Sequence, residues 1–352
     1  MKDIIKELRL KNNGIINHYG NVYECIDSLH GIQAQYDIYA FIALINRVDN
    51  FSLKELYSNN KVVKSWGQRV TLHINTKDNM LINKTVFSNS KNWIKKYIEE
   101  LGGDCNAIIN QIAYANYENR SFSKMDVQNK IEHQLKKQMM QWGGILAQAS
   151  IEGFIYEVID DSKGKKYAKT EKKYLDRKLG YDFAIYKLIE KYIEAFGPVS
   201  EKDFAHWSGL RKCDFKEYWD CFSDKYEQLR VGDEIFYYRN NGNYKNENNI
   251  LLLGKFDPLL LAYNDKTWLV EDKYIKKIWR NAGQVEGVLL VDDSFVGTWH
   301  CNKKNGSLYF CLYEEQKLRK RLMDEVSRRM NYISDKLGMK YGGVKVEQGD
   351  CT

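Results

Sequence analysis

Three times along the chain, a stretch with helical periodicity gives way to one with strand periodicity, and this recurrence restricts the fold more than any composition figure. The clearest instance is FGPVSEKDFAHWSGLRKCDFKEYWDCFSDKYEQLRVGDEIFYYRN, residues 196–240. Ser200 stands as an N-cap and Gly209 as a helix end. Phe215, Tyr218, Trp219 and Phe222 then repeat at the spacing of one face of a second helix. Gly232–Asp233 is a two-residue turn between alternating strands, the signature of a hairpin. An earlier instance pairs Ser123 as N-cap with Asp126 as first-turn acid, and leads into GFIYEVIDDSKGKKYAKT, two alternating stretches with a turn at Gly164. The first instance predicts helices over 2–10, 22–29 (closed by Gly31) and 38–45, and an N-cap at Ser52. Strand-like alternation follows around Val70, Leu72 and Ile74.

Three units of one type at loose spacing predict tandem winged helices rather than a solenoid. The C-terminal third is different. VLLVDDSFVGTWHCNKKNGSLYFCLY reads as a three-stranded meander with turns at Asp292–Asp293 and Asn305–Gly306, and a charged amphipathic helix runs over 314–337. Pro198 and Pro258 fall at element boundaries, where a missing amide hydrogen does least harm. The expected fold is α+β, mostly α: three tandem winged helix-turn-helix modules, a C-terminal antiparallel β meander and a final helix. The expected domains are 1–90, 91–180 (with a basic hairpin), 181–245, and 246–352 packing on the modules.

Apolar residues make up 43% of the 352, enough for a core, which excludes global disorder. The net charge of +7 permits a polyanionic partner without requiring one. The opening MKDIIKELRLKNNGI has no long apolar core, and no apolar run is long enough to span a bilayer, so no signal peptide and no membrane contact are expected. Seven scattered cysteines without a C-x-x-C pair or Cys/His ligand spacing argue against zinc or an iron–sulfur cluster. They read as free thiols of a cytoplasmic protein.

Chemistry is constrained by what is missing. The chain has no Gly-rich phosphate loop and no serine-centred elbow. Its six histidines are dispersed; His206, beside Trp207, reads as a packed core residue. Asp292 and Asp293 sit where aspartate suits a turn. The reaction, if there is one, proceeds without metal, cofactor or strong base. Gln33 and Gln35, one residue apart after Gly31, are then the notable polar pair. An amide cannot act as a general base near neutral pH, but it can accept from and donate to water, and its carbonyl dipole can face developing positive charge. That suffices where the leaving group is already activated. An N7- or N3-alkylated purine in DNA carries positive charge, so its glycosidic bond breaks without the carboxylic acid that ordinary glycoside hydrolysis needs. Lys163, Lys165, Lys166, Lys169, Lys172 and Lys173, interleaved with Tyr167 and Tyr174, place a lysine-rich segment at the second hairpin, suited to phosphate contacts. Gln-x-Gln alone is short enough to arise by chance. A non-catalytic winged-helix regulator that reads bases with these amides, or an adaptor built on the same scaffold, fits the same helices and charges.

Five blocks in order, GIQAQ, RVTLHI, FGPVSEKDFAHWSGL, LLLGKFDPLLLAYNDKTWL and VLLVDDSFVGTWH, resemble the AlkZ-type winged-helix DNA glycosylases, a family that includes the YcaQ (AlkX) branch. The resemblance covers about residues 5–335. It implies a concave face that binds double-stranded DNA, excision of alkylated purines by a monofunctional glycosylase and, in some members, unhooking of interstrand crosslinks. The family's catalytic element is Gln, an apolar residue, then Gln or Asp; Gln33-Ala34-Gln35 matches the Gln/Gln form. The resemblance thus implies Gln35 as the residue that positions the attacking water, with Gln33 orienting it or contacting the sugar-phosphate. Thr71 and His73 belong to a matching block and are expected to line the cleft. The working expectation is a monomeric, cytoplasmic repair glycosylase acting on alkylated purines in DNA.

Overall fold

The computed structural model of the chain describes residues 2–347 apart from 89–92, 118, 132–136, 163, 241–249, 303–307, 313–319 and 341. The strands are β1 (Ile32–Gln33), β2 (Val62–Trp66), β3 (Leu72–Thr76), β4 (Ser121–Ser123), β5 (Ile155–Glu157), β6 (Lys166–Lys169), β7 (Glu227–Val231), β8 (Glu234–Tyr238), β9 (Ile250–Leu253), β10 (Gly287–Val291), β11 (Ser294–Cys301), β12 (Leu308–Leu312) and β13 (Val344–Glu347). Helices separate most of them, and the fold is α+β with largely antiparallel sheets, as expected.

Local signals hold where their chemistry is local. Ser123 with Asp126, and Ser200 with Asp203, form reciprocal capping boxes at the heads of Lys124–Lys130 and Glu201–Ser208. Gly209 ends the latter in the left-handed conformation, at φ 76°. β7 and β8 pair across Gly232–Asp233, with Val231 opposite Glu234, and Asp292–Asp293 turn β10 into β11. The helix carrying the aromatic stripe is shorter than its spacing predicts. It spans Lys216–Asp220, and Phe215 and Phe222 flank it, both fully buried. The predicted alternation at Val70 is likewise interrupted: Gln68–Val70 is a tight turn, and the strand begins at Leu72. The turn expected at Asn305–Gly306 lies outside the described residues.

The larger departure is in how strands combine. Those expected as separate wings of 1–90 and 91–180 lie in one six-stranded sheet, in the order β1-β3-β2-β5-β6-β4. The join is β2 against β5, where Lys64 faces Glu157 and its ammonium lies 3.1 Å from the carboxylate, both side chains buried. A cross-strand ion pair linking positions 93 residues apart in sequence has no local signature. At the C-terminus the expected three-stranded meander is the middle of a five-stranded sheet. β9 flanks it on one side and β13, running parallel to β12, on the other.

Among the described residues two apolar cores result. The smaller is built from 94–155, including Ile94, Ile108, Phe122, Val127 and Ile145. The larger gathers both ends of the chain around the helix Asp37–Ile45, whose residues from Tyr39 to Ile45 are all buried. A helix apolar on every side belongs at the centre of a core. It is held there by Arg47, just beyond its end, which makes a two-pronged pair with Asp257: Nη2 lies 2.6 Å from Oδ1 and Nη1 2.9 Å from Oδ2. Both side chains are shut off from solvent.

Candidate active site

Gln33 and Gln35 sit at the edge of the six-stranded sheet, immediately ahead of this central helix. Gly31 makes the approach possible. Its φ is 96°, and a Cβ there would lie 2.2 Å from Asn75 Oδ1, so any other residue would collide as well as strain. β1 then pairs with β3, placing Gln33 opposite His73, and the Ala34 amide donates to the Leu72 carbonyl at 2.8 Å. Alternation along an extended chain sends Ile32 and Ala34 into the core and Gln33 and Gln35 to the other face. Hence the middle residue of the motif is small and apolar, and the two amides meet: Gln33 Nε2 donates to Gln35 Oε1 at 2.5 Å. Gln33 is buried and Gln35 exposed, so one amide supports and the other faces outward.

Outside Gln35 lies an open cleft of about 440 Å³, with Tyr36, Asp37, Tyr57, Glu157 and Lys165 in its wall. Its floor is anchored by Lys64, which joins Glu157 to Asp37, the latter 2.6 Å away in the first turn of the central helix. Burial alone would lower the Lys64 pKa, but Glu157 and then Asp37 outweigh it and hold the ammonium charged above its ordinary value.

The lysine-rich segment reaches this cleft through Gly164 and Lys165, but much of its charge is met by its own acids. Lys165 lies 3.4 Å from Glu157 and Lys166 3.9 Å from Asp160. Lys169 is turned back, donating to the Ala115 carbonyl and lying 5.5 Å from the Tyr117 ring centre. Lys172 and Lys173 are not on the hairpin at all; they open the short helix Lys172–Leu175 after it. The tight turn of the strand and the start of a new helix separate residues that are continuous in composition. Lys163 lies outside the described residues.

Thr71 and His73 are both near the motif, in different ways. His73 is 3% exposed, and its Nδ1–H donates to the Thr71 carbonyl at 2.9 Å. Desolvation, helped by the nearby Arg69 charge, lowers its pKa to about 3, so it stays neutral and offers no proton near pH 7. Thr71 is half-buried and donates its hydroxyl to the Gln68 carbonyl.

Sequence reasoning missed a cationic group behind the motif. Arg69 Nη2 donates to Gln33 Oε1 at 3.2 Å. Among the described residues no carboxylate pairs with this guanidinium, and desolvation pulls its pKa down to about 10. His206, read from sequence as packed, is exposed, with Lys266 Nζ 3.2 Å from its Nε2. Desolvation and then the Lys266 charge lower the imidazole to about 4; desolvation lowers Lys266 to about 8. Arg69 was within the quoted RVTLHI block, but nothing in a one-dimensional pattern distinguishes a half-buried arginine from a solvated one. Among the described residues no group of His, Cys, Asp and Glu is arranged to hold a metal ion, and no helix is long and apolar enough to cross a membrane.

Residues 26–330 match the family model of the AlkZ-like DNA glycosylases. Among solved structures, the DNA glycosylase AlkZ of Streptomyces sahachiroi superposes with a TM-score of 0.78, covering 97% of this chain and 98% of that one at 15% identity. At that identity the likeness is one of fold. No curated protein matches the sequence significantly.

Proposed function

The chain belongs to the AlkZ-like DNA glycosylase family, and from that premise we propose that it hydrolyses the N-glycosidic bond of N7- or N3-alkylated, cationic purines in double-stranded DNA. The observation that carries the reading is the amide pair: a buried Gln33 hydrogen-bonded to an exposed Gln35 at the lip of an open cleft. As the C1′–N bond breaks, its electron pair neutralises the positive base, which leaves without a proton donor. Positive charge passes to the sugar. The Gln35 carbonyl oxygen accepts a hydrogen bond from water on its way to C1′, and its dipole favours the oxocarbenium-like centre. Water's surplus proton goes to solvent. Such a substrate needs no proton donor, because the leaving group is already activated; the cleft-wall carboxylates Asp37 and Glu157 are paired with Lys64.

Lys165, exposed at the cleft, and the half-buried Lys166 exchange their ion pairs with Glu157 and Asp160 for phosphate contacts, and the protein acts as a monomer without cofactor. The cleft is open rather than enclosed, which favours bulky adducts and crosslinked purines as well as methylated ones, since neither fits a closed base pocket. The test is release of free base from a duplex carrying N7-methylguanine or a crosslinked purine, followed by alkaline cleavage of the abasic site. Wild type should release base and the Gln33→Ala, Gln35→Ala double variant should not, while binding the duplex equally well. Full excision by the double variant overturns the mechanism. Tight binding to one undamaged sequence without release would favour a regulator.

A further inference from the structure

Arg69 lies in an unusual backbone. It and Val70 are consecutive residues in the left-handed region, at φ 54° and 56°, although neither is glycine and valine is β-branched. The turn is closed by Val70 N donating to Gly67 O at 3.0 Å and Gly67 N to Thr71 O at 3.1 Å. Strain of this kind persists where surrounding structure overdetermines it, and it concentrates at functional sites. Here it aims the guanidinium at Gln33 rather than at any acid.

The consequence follows from donor inventory. An amide pair can hydrogen-bond in either of two directions, Gln33 to Gln35 or the reverse, with one bond in each. A guanidinium has only donors. It therefore holds the Gln33 oxygen toward itself and sends the Gln33 amide nitrogen toward Gln35, which engages one lone pair of the Gln35 oxygen and leaves the other free for water. The reversed pair would set an NH2 group against the guanidinium. Arg69 also touches the buried glutamine, not the exposed one, which keeps its positive charge one residue removed from the sugar where positive charge develops.

We propose that Arg69 is a positioning residue that acts through Gln33: it fixes the direction of the amide pair and so anchors the Gln35 oxygen by one lone pair, leaving the other for the attacking water. This rests on the glutamine-centred reading above. A charged hydrogen bond exceeds a neutral one by enough to bias the two orientations about tenfold or more. Without the donors the two directions become about equally populated, so the excision rate under saturating enzyme should fall about twofold.

The experiment is single-turnover base release from whichever damaged duplex the wild type processes, with Arg69→Met, which keeps the stem, and Arg69→Lys, which keeps a donor. Both are checked for wild-type melting. Duplex affinity is measured in parallel at two salt concentrations. Expected are an Arg69→Met enzyme about twofold slower with unchanged affinity and salt dependence, substantial recovery in Arg69→Lys, and no further loss when Arg69→Met is added to Gln33→Ala. A weakened, less salt-sensitive Arg69→Met complex would overturn the inference in favour of a phosphate contact, and so would losses that multiply in the Gln33→Ala background. Undiminished Arg69→Met excision beside an inactive glutamine double variant would overturn this inference alone. Undiminished excision by the double variant would overturn the mechanism beneath it.

Discussion

Replacing Asp257 by alanine removes the counter-charge from a guanidinium that has no exposure to solvent. Arg47 would keep the Asn13 backbone and side-chain oxygens, at 3.0 Å from Nε, and the Ala43 carbonyl at 2.9 Å from Nη1. Those bonds soften the penalty, placing it toward the low end of the roughly 3–5 kcal/mol that follows from stranding a buried charge. Asp257 also caps the helix Pro258–Leu261, accepting from Leu259 N at 3.0 Å, and losing a cap costs about 1 kcal/mol. The expected loss is about 4 kcal/mol, a large fraction of the stability of an ordinary domain. Urea unfolding followed by both tryptophan fluorescence and circular dichroism measures it, and coincident transitions would license a two-state reading. The Arg47→Met, Asp257→Ala double variant should recover about 1–2 kcal/mol of that loss, because no charge is left stranded. A single-variant loss below about 1 kcal/mol, or a double variant no better than the single, would refute the reasoning.

Two further outcomes follow from the same geometry. Gly31→Ala should lose about 1–3 kcal/mol, since φ is 96° and the new Cβ meets Asn75 Oδ1, and excision should fall with it as β1 shifts; thermal melts and the base-release assay check both. His30 is fully buried, and desolvation, chiefly, lowers its pKa to about 4, as His73 is lowered to about 3. A lowered folded-state pKa leaves stability untouched above the unfolded value near 6.5 and erodes it as pH falls from there toward 4. Excision should accordingly be flat from pH 5.5 to 8 (roughly, given the ordinary histidine value), and two imidazole signals should not titrate across that window by NMR. A bell-shaped rate profile centred near the ordinary histidine pKa would assign proton transfer to a histidine and contradict the mechanism.

What could be read from the sequence is what short-range chemistry controls. The capping boxes at Ser123 and Ser200, the Gly232–Asp233 hairpin and the glycine before the glutamines involve groups within a few residues of one another, so identity and spacing suffice. The two glutamines share a face for the same reason: an extended chain alternates, whatever it packs against. Tertiary structure alone decided the rest. It set Lys64 against Glu157 and so fused two expected wings into one sheet, brought Arg47 to Asp257 from 210 positions away, and matched hairpin lysines with their own acids. It also determined which glutamine is buried and put behind it Arg69, which meets no carboxylate among the described residues. The physical reason is common to all of these. Desolvation and the partner a charge finds are properties of the assembled surroundings, and long-range pairing leaves no period or spacing in the chain from which to infer them.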